Sequence, residues 1–235
     1  MTAPTGGRGS PMGTAGAVVA SYVGVVVYAG LVFLGAWKLR YWQGCLYLAL
    51  ALAGTTLSHL LVPRGSALTA ARAREAGAGE VWDRRLLTAL FLINAVTFVT
   101  AGLDSGRFGW SGPVPAIVTV AGAALMLAGQ TLFALAKREN PFFSSTVRLQ
   151  AERGHAVCDT GLYRFVRHPG YLGMLVSQLA FPMVMGAYWA FIPAAAGAAA
   201  LVVRTRLEDR FLLTSLAGYA DYAARTRWRL VRGVF

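Results

Sequence analysis

The chain has 235 residues, of which 56% are hydrophobic and 14% are charged, and its formal net charge is +12. A soluble domain of this length would carry about a quarter charged residues, so the composition excludes an ordinary soluble protein and indicates an integral membrane protein. In such a protein, excess arginine is typical of loops that face anionic lipid headgroups, so we expect membrane lipids and no nucleic acid as partners.

The N-terminal half predicts four transmembrane helices. Residues 1–16 are small, polar and rich in proline and glycine, and we expect them to be disordered. The region 17–136 then holds four apolar stretches, each with about the 20 residues needed to cross a hydrocarbon core. These stretches are Ala17–Trp37, Tyr41–Val62, Leu86–Leu103 and Pro113–Ala136.

Residues 137–235 form a different, C-terminal region. After a polar segment, two shorter apolar stretches meet at Gly186 and predict a helical hairpin over residues 170–203. Each arm is short for a full crossing, so we expect the hairpin to stop below the far interface. The chain beyond it is charged and aromatic, and continues as a cytoplasmic helix. The predicted fold is an all-α polytopic membrane protein whose C-terminal helices enclose a pocket.

The distribution of basic residues predicts the orientation. With the N-terminus inside, six crossings leave only Lys38, Arg40 and Arg107 on the outer side. This bias predicts a multi-pass protein of the cytoplasmic (plasma) membrane with both termini in the cytoplasm. Trp37 and Trp110 fall at predicted outer boundaries, as is typical of interfacial aromatic residues.

Several classes of site have no support in the sequence. No charged relay crosses the predicted spans, which argues against an ion-coupled transporter. The sequence contains no dinucleotide or P-loop signature, no Gly-x-Ser-x-Gly, and no histidine and cysteine spacing typical of a metal site, so we predict no metal.

The first polar cluster precedes the hairpin, in the sequence YRFVRHPGYLG of residues 163–173. Pro169-Gly170 favours a break followed by a helix start, whose free N–H groups favour an anion. His168 and Tyr171 add polar groups and ring faces to that position. A second interpretation stays open on these residues alone, namely a basic collar at the membrane surface.

The second polar cluster follows the hairpin, in residues 204–230. Arg204 and Glu208 are four residues apart and share a helix face. Glu208 and Asp209 form an acidic pair where the membrane surface is otherwise basic. Such a pair suits ribose hydroxyls or a bound cation, and the alternative is an ordinary Arg–Glu surface pair.

Together the two clusters resemble the isoprenylcysteine carboxyl methyltransferase family, which is related to the phospholipid methyltransferases. The family pattern Gly-x-Tyr-x-x-x-Arg-His-Pro-x-Tyr-x-Gly is matched at Gly161, Tyr163, Arg167, His168, Pro169, Tyr171 and Gly173. Its downstream patterns are matched at Arg204, Glu208, Asp209, Tyr219 and Tyr222. The resemblance covers roughly the last 100 residues and is specific, because the pattern is long, ordered and correctly placed against the membrane.

The resemblance implies a pocket for S-adenosyl-L-methionine and a methyltransferase activity. The implied cofactor contacts are Gln150, His155, Ala156, Val157, Cys158, Tyr163, His168, Pro169, Gly170, Tyr171 and Glu208. Arg204 is implied to face the substrate as the catalytic residue. The chain departs from the family pattern at Cys158, where valine is more frequent, and at Asp209, where a second glutamate is usual.

The sequence leaves the chemical identity of the methyl acceptor open between several groups. Members and relatives of the family methylate prenylcysteine carboxylates, phospholipid amines and thiols. A carboxylate is already ionised at neutral pH, whereas a thiol or amine needs a base, so we expect O-methylation of a lipophilic carboxylate. Sterol reductases resemble the C-terminal half, so an NADPH-dependent membrane reductase is an alternative, and a non-catalytic scaffold or channel is a third.

Overall fold

The computed structural model describes residues 14–62 and 79–235, and the regular structure of these residues is helical. The α-helices are α1 (Thr14–Ala36), α2 (Trp42–Leu61), α3 (Val81–Ala101), α4 (Ala116–Glu139), α5 (Pro169–Met185), α6 (Phe191–Ser215) and α7 (Tyr219–Arg225). A π-helical segment, Gly102–Phe108, continues α3. The all-α prediction is confirmed. The predicted disorder of residues 1–16 falls outside the described residues except for 14–16, which open α1.

Within the described part of the chain, five helical stretches are long and apolar enough to cross a membrane. They are Ala15–Ala36, Trp42–Leu61, Val81–Phe108, Ala116–Glu139 and Tyr188–Ser215, whereas α5 is apolar but shorter. The chain is therefore a multi-pass membrane protein by the length and composition of its helices. The third helix begins at Val81 rather than at the predicted Leu86, and this difference matters for the site.

The α5–α6 turn lies beside the loop that joins α3 to α4. Asp104, which is fully buried, accepts hydrogen bonds from the Ser111 amide at 2.7 Å and from the Trp189 amide at 3.1 Å. Ser111 Oγ in turn accepts one from the Tyr188 amide at 2.7 Å. The hairpin therefore extends to the same end of the bundle as the α3–α4 loop, and the expectation that it stops short of that end is wrong.

Gly186 closes the predicted hairpin. It follows the last residue of α5 with a φ of 59°, a left-handed conformation that favours glycine, and its amide donates to the carbonyl of Met183. The position of the turn was predicted correctly, because glycine at this place ends one helix and lets the chain reverse.

The opposite end of the bundle, which we call the basic end, brings together the end of α2, the start of α3, the end of α4 and the start of α5. Lys137 of α4 is buried there, and its Nζ donates to Ser58 Oγ of α2 at 3.1 Å. Asp83 of α3 accepts from the amide of Val147, in the polar segment after α4, at 2.8 Å. The polar segment is therefore fixed to the helices of the N-terminal half.

Helices α4 and α5 pack with their backbones in direct contact. A Cβ atom on Gly173 would lie 2.5 Å from the carbonyl oxygen of Gly129, and one on Gly129 would lie 2.7 Å from that of Gly173. Such close approach is typical of helix packing in lipid. The hydrophobic effect does not drive helices together there, and small residues allow van der Waals contact between the backbones. This contact fixes the start of α5, and with it the Pro169-Gly170 junction, against α4.

We expect Gly173→Ala to destabilise the protein, because the added methyl group meets backbone rather than a movable side chain. Overpacking of this kind costs about 1–3 kcal/mol, so the thermal unfolding midpoint in detergent should fall by several degrees. Gly30→Ala is the matched control, since nothing lies within 4 Å of its added Cβ atom. Equal midpoints for the two variants would contradict the packing described here.

Candidate active site

A pocket opens at the basic end, between the polar segment after α4, the start of α5 and the second half of α6. Most of the cofactor contacts implied by the sequence line it: His155, Ala156, Val157, Cys158, Tyr163, His168, Gly170, Tyr171 and Glu208. The wall is completed by residues that sequence reasoning did not assign to the site, including Phe142, Phe143 and Val147, and by Leu212 and Leu216 of an apolar stripe at the end of α6. These additions are mostly apolar, so they gave no chemical signal in the sequence.

Asp209 organises the side of the pocket formed by the Arg-His-Pro motif. Its carboxylate is fully buried and accepts two hydrogen bonds from Arg167, from Nε and Nη2, each at 2.8 Å. It also accepts from Tyr219 Oη at 2.9 Å and Arg229 Nε at 2.8 Å, and lies 3.3 Å from His168 Nε2. Asp209 therefore faces the protein interior and does not line the pocket.

Arg167 joins the motif to the C-terminal segment. Besides its ion pair, its Nη1 donates to the carbonyls of Thr226 at 2.9 Å and Arg227 at 3.0 Å. The amides of Arg167 and His168 also donate to the carbonyls of Trp228 and Arg229, each at 2.9 Å. Because Arg167 is buried and fully engaged, the interpretation as a basic surface collar does not describe this residue.

The start of α5 supplies the centre of the pocket. Pro169 occupies the first helical turn, where its missing N–H costs nothing, and it does not line the pocket. Gly170 lines it closely, since a Cβ atom there would lie 2.7 Å from the ring of Phe143. The rings of His168 and Tyr171 stack with centroids 5.7 Å apart, and both line the pocket.

Glu208 is the acidic side chain of the pocket wall on α6. The hydroxyl of Tyr171 donates to its Oε2, which ties α5 to α6 across the pocket. Glu208 and Asp209 therefore do not act as a pair. Consecutive helical residues point about 100° apart, so one carboxylate faces the pocket and the other the interior.

Gln150 supports the pocket from behind. It is 1% exposed and does not line the pocket, although the family resemblance implied a cofactor contact. Its side chain donates to the carbonyl of Phe142 at 2.7 Å, and its amide donates to His155 Nδ1 at 3.2 Å. In this structure Gln150 therefore sets the position of His155, whose ring stacks on Phe142.

The remaining predicted contacts follow His155 in the polar segment. Cys158 Sγ lies 3.8 Å from the carbonyl of Glu139, and burial raises the pKa of its thiol, so it is not a thiolate at neutral pH. Tyr163 is buried, donates to the carbonyl of Ala136 at 3.3 Å, and has its pKa raised by the same cause. Its own carbonyl accepts from Tyr222 Oη at 2.8 Å.

Arg204 lies directly behind Tyr171 and does not line the pocket. Its guanidinium sits 5.2 Å from the centre of the Tyr171 ring. Its Nε donates to Asp83 Oδ1 at 2.7 Å, and its Nη2 donates to Asp83 Oδ2 at 3.2 Å and to the carbonyl of Ser145 at 2.8 Å. Both side chains of this ion pair are almost completely buried. Sequence reasoning missed Asp83, because the predicted span began after it.

A second cavity, of about 530 Å³, lies between the helices, next to the pocket. It is lined by apolar residues together with polar ones, among them Ser58, Gln130, Lys137, Ser177 and Gln178. Gly170 lines the pocket and Gly173, one turn later in α5, lines the cavity. Phe133 and Phe143 meet edge to face between them, with ring centroids 5.4 Å apart.

The fold is that of a multi-pass, all-helical membrane protein with a pocket at one end of its bundle. Residues 120–214 match the model of the Isoprenylcysteine carboxyl methyltransferase (ICMT) family. The resemblance seen in the motifs is thereby confirmed, and this part of the chain indicates a membrane methyltransferase. The matched region contains most of α4, the polar segment, α5 and nearly all of α6, and so includes most of the residues that line the pocket, whereas Tyr219 and Tyr222 of α7 lie outside it. None of the curated proteins compared with the chain matches it.

The hydrogen bond from Gln150 to His155 predicts a pH dependence. Because Nδ1 accepts, the imidazole must be neutral, and burial together with nearby Arg153 lowers the His155 pKa from its ordinary value of 6.5. Above pH 6.5 the ring is neutral in both the folded and unfolded states. As the pH falls from 6.5 to the lowered pKa, only the unfolded state gains the proton, so stability is lost in that window.

We therefore expect the thermal midpoint of the native protein to fall more between pH 7.5 and 5.5 than that of His155→Asn. Asparagine offers an acceptor oxygen near the position of Nδ1 but does not titrate. Parallel midpoint curves for the two proteins would show that His155 is not the titrating group.

Proposed function

We propose that the protein transfers a methyl group from S-adenosyl-L-methionine to a lipophilic acceptor, namely a carboxylate of the prenylcysteine type. The observation that carries this proposal is the position of the pocket. It lies at the basic end of a membrane bundle, largely within the matched family region, and adjoins a cavity between the transmembrane helices.

The pocket has the chemical groups that such a cofactor needs. Glu208 and the rings of Tyr163 and Tyr171 suit a cationic centre, by charge and by cation–π attraction. Leu212 and Leu216 provide an apolar surface for a flat base. The cofactor supplies an electrophilic methyl group, and the task of the protein is to align that group with the acceptor.

We assign no general base among the described residues that line the pocket, which favours an acceptor that is already ionised. His155 has its Nδ1 occupied by the Gln150 amide, and His168 is held against the Asp209 carboxylate. Cys158 and Tyr163 have raised pKa values. A carboxylate needs no deprotonation and needs only an orienting cation. We assign that role to Arg204, which lies behind the ring of Tyr171 and outside the pocket lining.

The cavity between the helices suits the lipophilic part of the acceptor. Its walls are largely apolar, and buried Lys137 lies at its basic end, where a cation favours an anionic headgroup. An acceptor lying in this cavity would approach the pocket past Phe133 and Phe143 without leaving the membrane. We propose that the basic end, with both termini, faces the cytoplasm, as the distribution of arginine predicts.

Glu208→Gln should weaken cofactor binding, because the site loses its carboxylate while keeping its shape. Loss of a hydrogen bond to a charged group costs about 1.5–3 kcal/mol, so affinity for S-adenosylhomocysteine should fall by about tenfold or more. Calorimetry of the purified protein measures this change. Asp221→Asn, an equal charge change on the exposed face of α7, should leave the affinity unaltered.

The same calorimetry with NADPH tests the alternative of a membrane reductase. We expect binding of S-adenosylhomocysteine and none of NADPH. The reverse result would overturn the proposed function and support a reductase, and binding of neither would support a scaffold or channel.

The methylated atom can be identified from the product. Incubating the protein with methyl-labelled S-adenosyl-L-methionine and a lipid extract should yield a labelled lipid that releases volatile methanol in mild alkali, since a methyl ester is hydrolysed there. A labelled product that is stable to alkali would instead identify an amine or a thiol as the acceptor. That result would leave methyl transfer intact and replace the carboxylate.

A further inference from the structure

Asp83 is the acidic partner of Arg204, and it comes from outside the matched family region. It lies in the first turn of α3, whereas Arg204 lies in the middle of α6, 121 residues later. The carboxylate is fully buried and Arg204 is 4% exposed, so water does not compete for this pair. A charged pair withdrawn from water in this way is costly unless its geometry is well satisfied.

The geometry of the pair determines which edge of the guanidinium remains for another ligand. The Asp83 carboxylate accepts hydrogen bonds from Nε and Nη2 of Arg204, and the carbonyl of Ser145 accepts a second hydrogen bond from Nη2. Neither group engages Nη1. One edge of the arginine is therefore clamped, and the direction of the remaining nitrogen is fixed by that clamp.

The same carboxylate also shapes the wall of the pocket. Asp83 Oδ2 accepts from the amide of Val147, and the carbonyl of Val147 accepts from the amide of Glu80 at 3.1 Å. Val147 lines the pocket, and so does Tyr171, on whose ring Arg204 rests. The start of α3 thus holds both Arg204 and one wall of the pocket.

We propose that Asp83 is a positioning residue for methyl transfer, which sets the orientation of Arg204 toward the acceptor. This inference rests on the proposed function. It makes the third transmembrane helix part of the catalytic machinery, although the matched family region begins only in α4. Asp83 does not touch the pocket, so its effect on the reaction passes through Arg204.

The test is Asp83→Asn, assayed for methyl transfer and for S-adenosylhomocysteine binding. An asparagine keeps the size of the side chain but replaces one acceptor oxygen by a donor, which repels the guanidinium. Misplacement of a group by about 1 Å costs about 100-fold, so we expect kcat to fall by about that factor. Affinity for S-adenosylhomocysteine should fall much less than kcat, because Asp83 affects the pocket only indirectly, through the Val147 wall and the Tyr171 ring.

A double-mutant cycle separates positioning from a merely structural role. If Asp83 acts through Arg204, Asp83→Asn should slow an Arg204→Lys protein little further, because coupled residues are not additive. Losses that multiply, or a kcat that Asp83→Asn leaves unchanged, would overturn the proposal. Asp104→Asn is the control, since Asp104 is equally buried at the other end of the bundle and should affect stability without affecting kcat.

Folding and activity are kept apart by two further measurements. If Asp83→Asn does not bind S-adenosylhomocysteine, Asp83→Glu keeps the charge while displacing the guanidinium, and should bind but turn over slowly. Failure of both variants to bind would assign Asp83 a purely structural role and overturn the proposal. Absence of methyl transfer by the native protein would instead refute the proposed function, and the positioning role with it.

Discussion

The pocket depends on one buried carboxylate, that of Asp209. Burying an isolated charge is costly, and removing one partner from a buried pair costs about 3–5 kcal/mol. Asp209 avoids that cost by accepting from Arg167, Arg229 and Tyr219. These partners belong to the segment before α5, the C-terminal segment and α7, so a single anion on α6 gathers three other parts of the chain. The walls of the pocket are held in place through this contact.

This arrangement divides the Arg-His-Pro motif into parts with different physical tasks. Arg167 donates its guanidinium hydrogen bonds to Asp209 and to the C-terminal segment, although it also borders the pocket, and Pro169 starts α5. His168 and Gly170 line the pocket without making those links to the C-terminal segment through their side chains. A ligand-binding motif thus contains its own structural support, because the residues that shape a site must themselves be fixed by buried contacts.

The sequence predicted the helices and most of the pocket, but not the ion pair behind it. Hydropathy locates long apolar helices well, because crossing a membrane requires them, and the motif placed Tyr171 and Glu208 correctly at one pocket. Sequence reasoning missed Asp83 because it lies in a basic stretch that was predicted to be a loop, and because its partner Arg204 is 121 residues away in the chain. Only the folded chain reveals such a pair. Gln150 shows the same limit, because the position of a residue in a motif does not show whether that residue contacts the ligand or holds another residue that does.

The two buried ion pairs also account for how a membrane protein can place a polar site at its surface. At the basic end of the bundle, the carboxylate of Asp209 neutralises Arg167 and the carboxylate of Asp83 neutralises Arg204. The charges of these two pairs therefore cancel locally. Glu208 is the acid left facing the pocket, and it already bonds Tyr171. A cationic ligand in the pocket would therefore contact the Glu208 carboxylate and would not be repelled by these two arginines, since each is neutralised by its own partner. One turn further along α5, Gly173 packs against α4 and lines the neighbouring cavity, so a polar ligand and an apolar one could occupy adjacent sites.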